Sequence, residues 1–171
     1  VDIDSFPAPG HEDYPVVGLI DSGVSDNSYL QPWIVDRDEE DVPVIDQNRK
    51  HGTFIAGLIV NGRSFNHDDP AFPSTRAKII DVVAIPKSKI KDYALLQTIR
   101  RVVPKYPEVK IWNLSINCTD TICQDSYFSS FAMALDQIQK QYDVTFVNST
   151  GNYSALRTWP PTGVPHGIDR I

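Results

Sequence analysis

An aspartate and a histidine stand where the chain passes from one predicted element to the next. Asp21 directly follows the apolar run PVVGLI, and His51 opens the run HGTFIAGLIV 30 residues later. A carboxylate that accepts a hydrogen bond from one imidazole nitrogen fixes the tautomer and leaves the other nitrogen free to take a proton. The pair therefore suggests general-base catalysis on a nucleophile. Each motif alone is weak, because Asp-Ser-Gly is also a common turn.

The sequence predicts alternating strands and helices, and these elements must position Asp21 and His51. Short β-branched runs predict strands, and longer runs with one apolar face predict helices. The expected strands are 15–20, 77–85, 109–116 and 143–152, and the expected helices are 52–60, 92–103 and 127–142. Pro104 is expected to stop the second helix, and Phe128 is expected to share the buried face of the third. The segments 36–50 and 61–76 are expected to be loops.

This alternation predicts an α/β fold with a three-layer, doubly wound, mostly parallel sheet. In such sheets the functional residues collect at the carboxyl ends of the strands. Asp21 and Asn152 follow predicted strands, Ser115 lies near the end of another, and His51 starts a helix. We therefore expect all four residues to face one crevice.

Four motifs taken together resemble the subtilisin-like serine proteases, or subtilases. They are GLIDSGV around Asp21, HGTFIAG around His51, IWNLSIN around Ser115 and FVNSTGN around Asn152. The order of aspartate before histidine is also the order of that family. The resemblance implies that Asp21 orients the general base His51, and that the side-chain amide of Asn152 donates to the oxyanion of the tetrahedral intermediate.

The resemblance also implies where a peptide or protein substrate would bind. The implied substrate-binding residues are Ser115, Ile116, Asn117, Ser149, Thr150 and Gly151. The first three match the strand that pairs with an extended peptide through backbone hydrogen bonds. The last three match one wall of the pocket for the residue before the scissile bond.

The chain departs from the family in two places. Where the family has a second histidine, this chain has Phe54. The family's nucleophilic serine stands in a Gly-Thr-Ser motif, which is absent here, and Ser154 lacks the flanking glycine that the nucleophile requires. We therefore expect the N-terminal part of a single peptidase domain, truncated before the nucleophile segment. Residues 1–14 would form a leading arm and 153–171 a loop cut short.

The predicted function is a serine endopeptidase with an Asp-His-Ser triad, inactive in these 171 residues alone. The alternative is a catalytically dead module that binds an extended peptide on the same scaffold. The natural chain after residue 171 would distinguish them by a Gly-Thr-Ser motif or a substituted serine. A third interpretation, in which Asp21 is a phosphate acceptor or metal ligand of an unrelated fold, leaves HGTFIAG unexplained.

Composition excludes other classes of function. A net charge of −6 and a pI of about 5.1 argue against nucleic-acid binding. No apolar run approaches the roughly 20 residues that a membrane-spanning helix needs. No cofactor is expected, although the acidic loop with Asn66, Asp68 and Asp69 could hold a structural Ca²⁺.

The cysteines and the N-terminal sequence give information on the cellular compartment of the protein. Cys118 and Cys123 could be free thiols or a local disulfide, and their spacing does not decide between the two. The few cysteines and the lack of a visible signal peptide favour an intracellular protein, with secretion left open. Besides substrate, the expected partner is the remainder of the domain or a second copy of the chain.

Overall fold

The computed structural model describes residues 6–116 and 128–149. The described elements are β1 (Val16–Asp21), β2 (Ile34–Asp38), α1 (Lys50–Phe65), β3 (Lys78–Val83), α2 (Asp92–Lys105), β4 (Ile111–Leu114), α3 (Ser130–Tyr142) and β5 (Thr145–Asn148). Short 3-10 turns lie at 31–33 and 44–46. None of the helices in these two ranges is long and apolar enough to cross a membrane.

The five strands form one parallel sheet in the order β2-β3-β1-β4-β5. β1 pairs with β3 on one side and with β4 on the other. The chain therefore passes from one side of β1 to the other between β3 and β4. Such a switch point opens a crevice at the carboxyl ends of the strands. The α/β class and the parallel sheet that the sequence predicted are both confirmed.

The two central strands are buried on both faces, which explains why they read as continuous apolar runs. Leu19 and Ile79 face α1, where they pack with Val60. Their neighbours Ile20 and Ile80 point to the opposite face, which α2 and α3 cover. The residues buried there from the two helices recur at helical spacing, as expected: Leu95, Ile99, Val102, Val103, Leu135 and Ile138.

β2 corrects the start of the predicted loop 36–50, because residues 36–38 belong to a strand. The strand occupies Ile34–Asp38 at the edge of the sheet, and its register against β3 shifts between Ile34 and Asp36. Two of its carboxylates accept hydrogen bonds at α2: Asp38 from Arg101, and Asp36 from the hydroxyl of Tyr106, the residue after the helix. Two of the acidic residues in that segment, Asp36 and Asp38, are thus strand residues that bond to α2 and to the residue after it.

α1 is longer than predicted at both ends. It runs over Lys50–Phe65, so the first five residues of the predicted loop 61–76 are helical. Asn61 interrupts the helix with φ −145° and ψ 38°. This break separates the half of the helix that bears His51 from the half that leads to the following loop.

The ends of α2 and α3 also differ from the prediction. Pro104 does not stop α2, which ends one residue later at Lys105, because a proline in the last turn removes only one backbone hydrogen bond. Phe128 lies before α3 and is 77% exposed, so it is not on the buried helix face. The Ser129 hydroxyl caps α3 by accepting the Ala132 N–H at 3.1 Å.

Candidate active site

Asp21 and His51 are in direct contact at the carboxyl end of β1. The Asp21 side chain is 2% exposed, and the His51 side chain, in the first turn of α1, is 51% exposed. The His51 Nδ1 lies 2.9 Å from each carboxylate oxygen of Asp21. The Ser22 N–H also donates to Asp21 Oδ1 at 2.6 Å. The carboxylate therefore favours the imidazole tautomer that carries its proton on Nδ1.

The residues that follow this pair in sequence hold the turn after β1 against the start of α1. The Ser22 hydroxyl accepts the Gly52 N–H at 3.1 Å, which satisfies one of the N–H groups that a helix start leaves unbonded. A Cβ at Gly52 would lie 2.3 Å from the Gly23 carbonyl oxygen, so any side chain there would force the turn and the helix apart. Gly23 itself has φ +89°, in the region that favours glycine.

Thr53 connects the far side of the same turn. Its hydroxyl accepts the Ser25 N–H at 2.8 Å and donates to the Arg49 carbonyl oxygen. All three residues of the His-Gly-Thr motif thus contact the segment that begins with Asp21. The local sequence at both ends of the contact explains why the pair forms.

The second ring nitrogen of His51 remains available for chemistry. Within 6–116 and 128–149, no residue forms a hydrogen bond with Nε2. Because the ring is half-exposed, a hydroxyl or water can approach Nε2 and give up a proton to it. Phe54, one helical turn further along α1, is 61% exposed.

Ser115 and Ile116 lie at the same end of the sheet as Asp21. They follow β4 directly, and β4 pairs with β1 through Ile20 and Leu114. Continuing that register places Ser115 beside Asp21. The structure therefore brings these two predicted substrate-binding residues to the edge that carries the Asp21–His51 pair.

Ser149 connects the end of β5 to the same edge. Its N–H donates to the Leu114 carbonyl at 3.2 Å, and its hydroxyl donates to the Ile116 carbonyl at 3.3 Å. The remaining residues singled out from the sequence lie outside the described residues: Asn117, Cys118, Cys123, Thr150, Gly151, Asn152 and Ser154.

The loop after α1 uses its acidic and amide side chains locally. The Asn66 amide donates to a carbonyl of α1 at 2.7 Å. Asp68 accepts the Ser64 hydroxyl at 3.3 Å, and Asp69 accepts a backbone N–H at 2.9 Å. The described part of the chain holds no group of three or more His, Cys, Asp or Glu that could bind a metal. A calcium ion held by oxygen ligands here stays a prediction.

Sequence reasoning missed a second buried aspartate near the pair. Asp81 stands in the middle of β3 with 0% exposure. Its Oδ2 accepts the Val24 N–H at 3.0 Å and the Arg37 Nε–H at 2.8 Å. Burial raises the pKa of Asp81 by more than these two hydrogen bonds lower it. The signal was visible as a single acid inside the apolar strand KIIDVV.

The parallel α/β sheet presents a buried carboxylate and a half-exposed imidazole, in contact with each other, at its switch point. The family model of the subtilases, the S8 peptidases, matches residues 12–167. The chain therefore belongs to the subtilase family, whose members are subtilisin-like serine proteases. No curated protein and no solved structure matches the chain.

Proposed function

We propose that Asp21 and His51 are the orienting acid and the general base of a serine endopeptidase triad. The observation that carries the proposal is the contact of both Asp21 oxygens with His51 Nδ1 at 2.9 Å. The third member would be a serine of the natural chain outside these 171 residues, since no Gly-Thr-Ser motif occurs among them.

The chemistry follows from the tautomer that Asp21 favours. With the proton on Nδ1, the Nε2 lone pair of His51 accepts the proton of the serine hydroxyl as its oxygen attacks the peptide carbonyl. The buried carboxylate stabilises the imidazolium that results. His51 then gives the proton from Nε2 to the leaving amine. A water molecule hydrolyses the acyl-enzyme by the same transfers in the second half of the reaction.

The remaining roles are proposed by their match to the family. Asn152 would donate its side-chain amide to the oxyanion, and the segment from Ser115 to Asn117 would pair with an extended substrate. The segment from Ser149 to Gly151 would line the pocket before the scissile bond. The position of Ser115, Ile116 and Ser149 at the Asp21 end of the sheet supports this assignment.

The test is peptide hydrolysis by the chain in its full natural length. His51→Ala should abolish turnover, and Asp21→Asn should lower kcat by about 10⁴-fold because it changes the imidazole tautomer. The matched controls are His67→Asn and Asp92→Asn, two exposed positions away from the site, and they should retain activity. Full activity of the His51→Ala variant would contradict the proposal.

Two further outcomes separate the parts of the proposal. The 171-residue chain by itself should show no His51-dependent turnover, and a turnover that His51→Ala abolishes would place the nucleophile within these residues. Full-length chain that binds an extended peptide without cleaving it, and whose nucleophile position is substituted, would support the peptide-binding module instead.

A further inference from the structure

Asp81 has an unusual position for a charged residue. It lies in the middle of β3, the strand next to the central strand β1. Its side chain is on the sheet face that packs against α1, because Ile79, two residues earlier in the strand, belongs to the core on that face. Its side chain is fully buried. A buried carboxylate is costly unless it is bonded. The groups to which it bonds therefore indicate its role.

Asp81 and Arg37 both form hydrogen bonds with the backbone of Val24, in the turn after β1. Asp81 Oδ2 accepts the Val24 N–H at 3.0 Å, and Arg37 Nη2 donates to the Val24 carbonyl at 2.8 Å. Arg37 Nε completes the ring of contacts by donating to Asp81 Oδ2 at 2.8 Å. Both backbone polar groups of Val24 are thus bonded to this clamp, which we define as Asp81 and Arg37.

The clamp acts on the segment that carries Asp21. Val24 lies three residues after Asp21, and Gly23 between them has its carbonyl oxygen against Gly52. The Val24 side chain is buried in the same core as α1. The turn is therefore fixed from the sheet side by the clamp and from the helix side by Gly52. A shift of the turn would change the distance between the Asp21 carboxylate and His51 Nδ1.

Stability does not account for Asp81. No described group donates a hydrogen bond to its buried Oδ1. Burial also raises its pKa, so the folded state resists the charge. A buried ion with one unsatisfied oxygen contributes little or negatively to stability, whereas it can fix a geometry. Catalytic geometry needs such fixing, because a displacement of about 1 Å can cost about 10²-fold in rate.

We propose that Asp81 is a positioning residue for the Asp21–His51 pair, which it acts on by holding the Val24 peptide through the clamp. This inference rests on the proposed function, in which that pair is catalytic. It assigns Asp81 no contact with substrate. It requires only an oxygen at this position that accepts the Val24 N–H.

The test measures the His51 tautomer by ¹⁵N NMR of the ring nitrogens through the carbon-bound ring protons. The wild-type chain at a pH where His51 is neutral should show the Nδ1–H tautomer, and Asp21→Asn should show the Nε2–H tautomer. Asp81→Val removes the acceptor and should move the ring shifts toward those of Asp21→Asn. Asp81→Asn keeps an oxygen for the Val24 N–H and should stay near the wild type.

Asp38→Val is the matched control, because Asp38 is an equally buried carboxylate on the neighbouring strand and does not contact the turn. It should leave the tautomer unchanged even where urea unfolding shows a loss of stability. In the full-length enzyme, Asp81→Val should lower kcat by about 10²-fold with little change in KM.

The outcomes distinguish the two proposals. If the wild type and Asp21→Asn share one tautomer, the pair itself is absent and the proposed function fails. If the wild type shows Nδ1–H and folded Asp81→Val shows the same, the positioning role is wrong and the proposed function stands. If Asp38→Val moves the tautomer as much as Asp81→Val, the effect is a general loss of structure, and the positioning role is again wrong.

Discussion

Asp38 and Asp81 lie on neighbouring strands, both are buried and both bond to arginine, yet their pKa values shift in opposite directions. Burial alone would raise the pKa of Asp38. Two hydrogen bonds from Arg101, at 2.7 and 2.6 Å, and one from Lys105, at 2.8 Å, outweigh it and lower the pKa to about 2. At Asp81 burial prevails, and the pKa is raised.

The difference lies in how many cations reach each carboxylate and from where. Asp38 is on the edge strand, where two side chains of α2 reach it from the solvent side. Asp81 is one strand further in, with a single bonded cation, Arg37, and one unpartnered oxygen among the described contacts. We therefore expect the edge network, which joins a strand to a helix, to stabilise the fold, and the inner network, which holds a turn, to add little stability.

Removing the single cation at the inner carboxylate should have the largest effect. Arg37→Met leaves Asp81 buried without a charged partner, and we expect a loss of about 3 kcal/mol in the free energy of unfolding at pH 7. The loss should shrink at pH 4, where Asp81 can take up a proton. Urea unfolding measures both.

Arg49→Met is the control for that variant. Arg49 is as deeply placed as Arg37, but its carboxylate partners Glu39 and Asp26 are exposed. It should lose only about 1 kcal/mol. Equal losses for the two variants would show that the burial of Asp81 does not matter.

The opposite pKa shifts predict opposite dependences on pH. The folded pKa of Asp38, about 2, is below its ordinary value of 3.8, so its stabilisation is present above about pH 4 and is lost as pH falls toward 2. The advantage of the wild type over Asp38→Asn should therefore fall by about 2 kcal/mol between pH 5 and pH 2.

Asp81 should behave in the reverse sense. Its folded pKa is raised, so any stabilisation it gives is greatest at low pH and is lost as pH rises through the folded pKa. The stability of Asp81→Asn relative to the wild type should thus increase from pH 3 to pH 7. Parallel curves for the wild type and Asp81→Asn would contradict the raised pKa.

A smaller effect is expected from removing one of the two cations at Asp38. Arg101→Met leaves Lys105 bonded to the carboxylate, so the loss should be about 1.5 kcal/mol in urea unfolding. Arg100→Met, an exposed arginine on the same helix, should change stability by less than about 0.5 kcal/mol. A loss at Arg101 as small as that at Arg100 would mean that Lys105 alone is sufficient.

The exposed carboxylates of both networks should matter least. Asp26 pairs with Arg37 at 2.6 Å but is 73% exposed, and Glu40 near Arg101 is 65% exposed. We expect Asp26→Asn and Glu40→Gln each to change the free energy of unfolding by less than about 0.5 kcal/mol. A loss above 1 kcal/mol in either would show that the outer charges support the buried ones.

The sequence predicted the parts of the fold that local patterns encode. The central strands and the apolar faces of α2 and α3 follow from hydrophobic periodicity, and the Asp21–His51 contact follows from motifs at the ends of β1 and α1. β2 was missed because an edge strand bonded to a helix by charged side chains has the composition of a loop. Asp81 is visible in the sequence as a single acid inside an apolar strand, but its contacts could not be predicted because Val24 and Arg37 are 57 and 44 residues away.

The close approach of Gly52 to the Gly23 carbonyl makes position 52 a site where substitutions can change the spacing between helix and turn. A side chain at position 52 would contact the Gly23 backbone, and a larger side chain would separate the helix from the turn by a greater distance. Alanine, serine and valine form a graded series that could separate Asp21 from His51 stepwise while leaving both residues intact. One backbone contact therefore offers a way to vary the distance between the Asp21 carboxylate and His51 Nδ1 without changing either side chain.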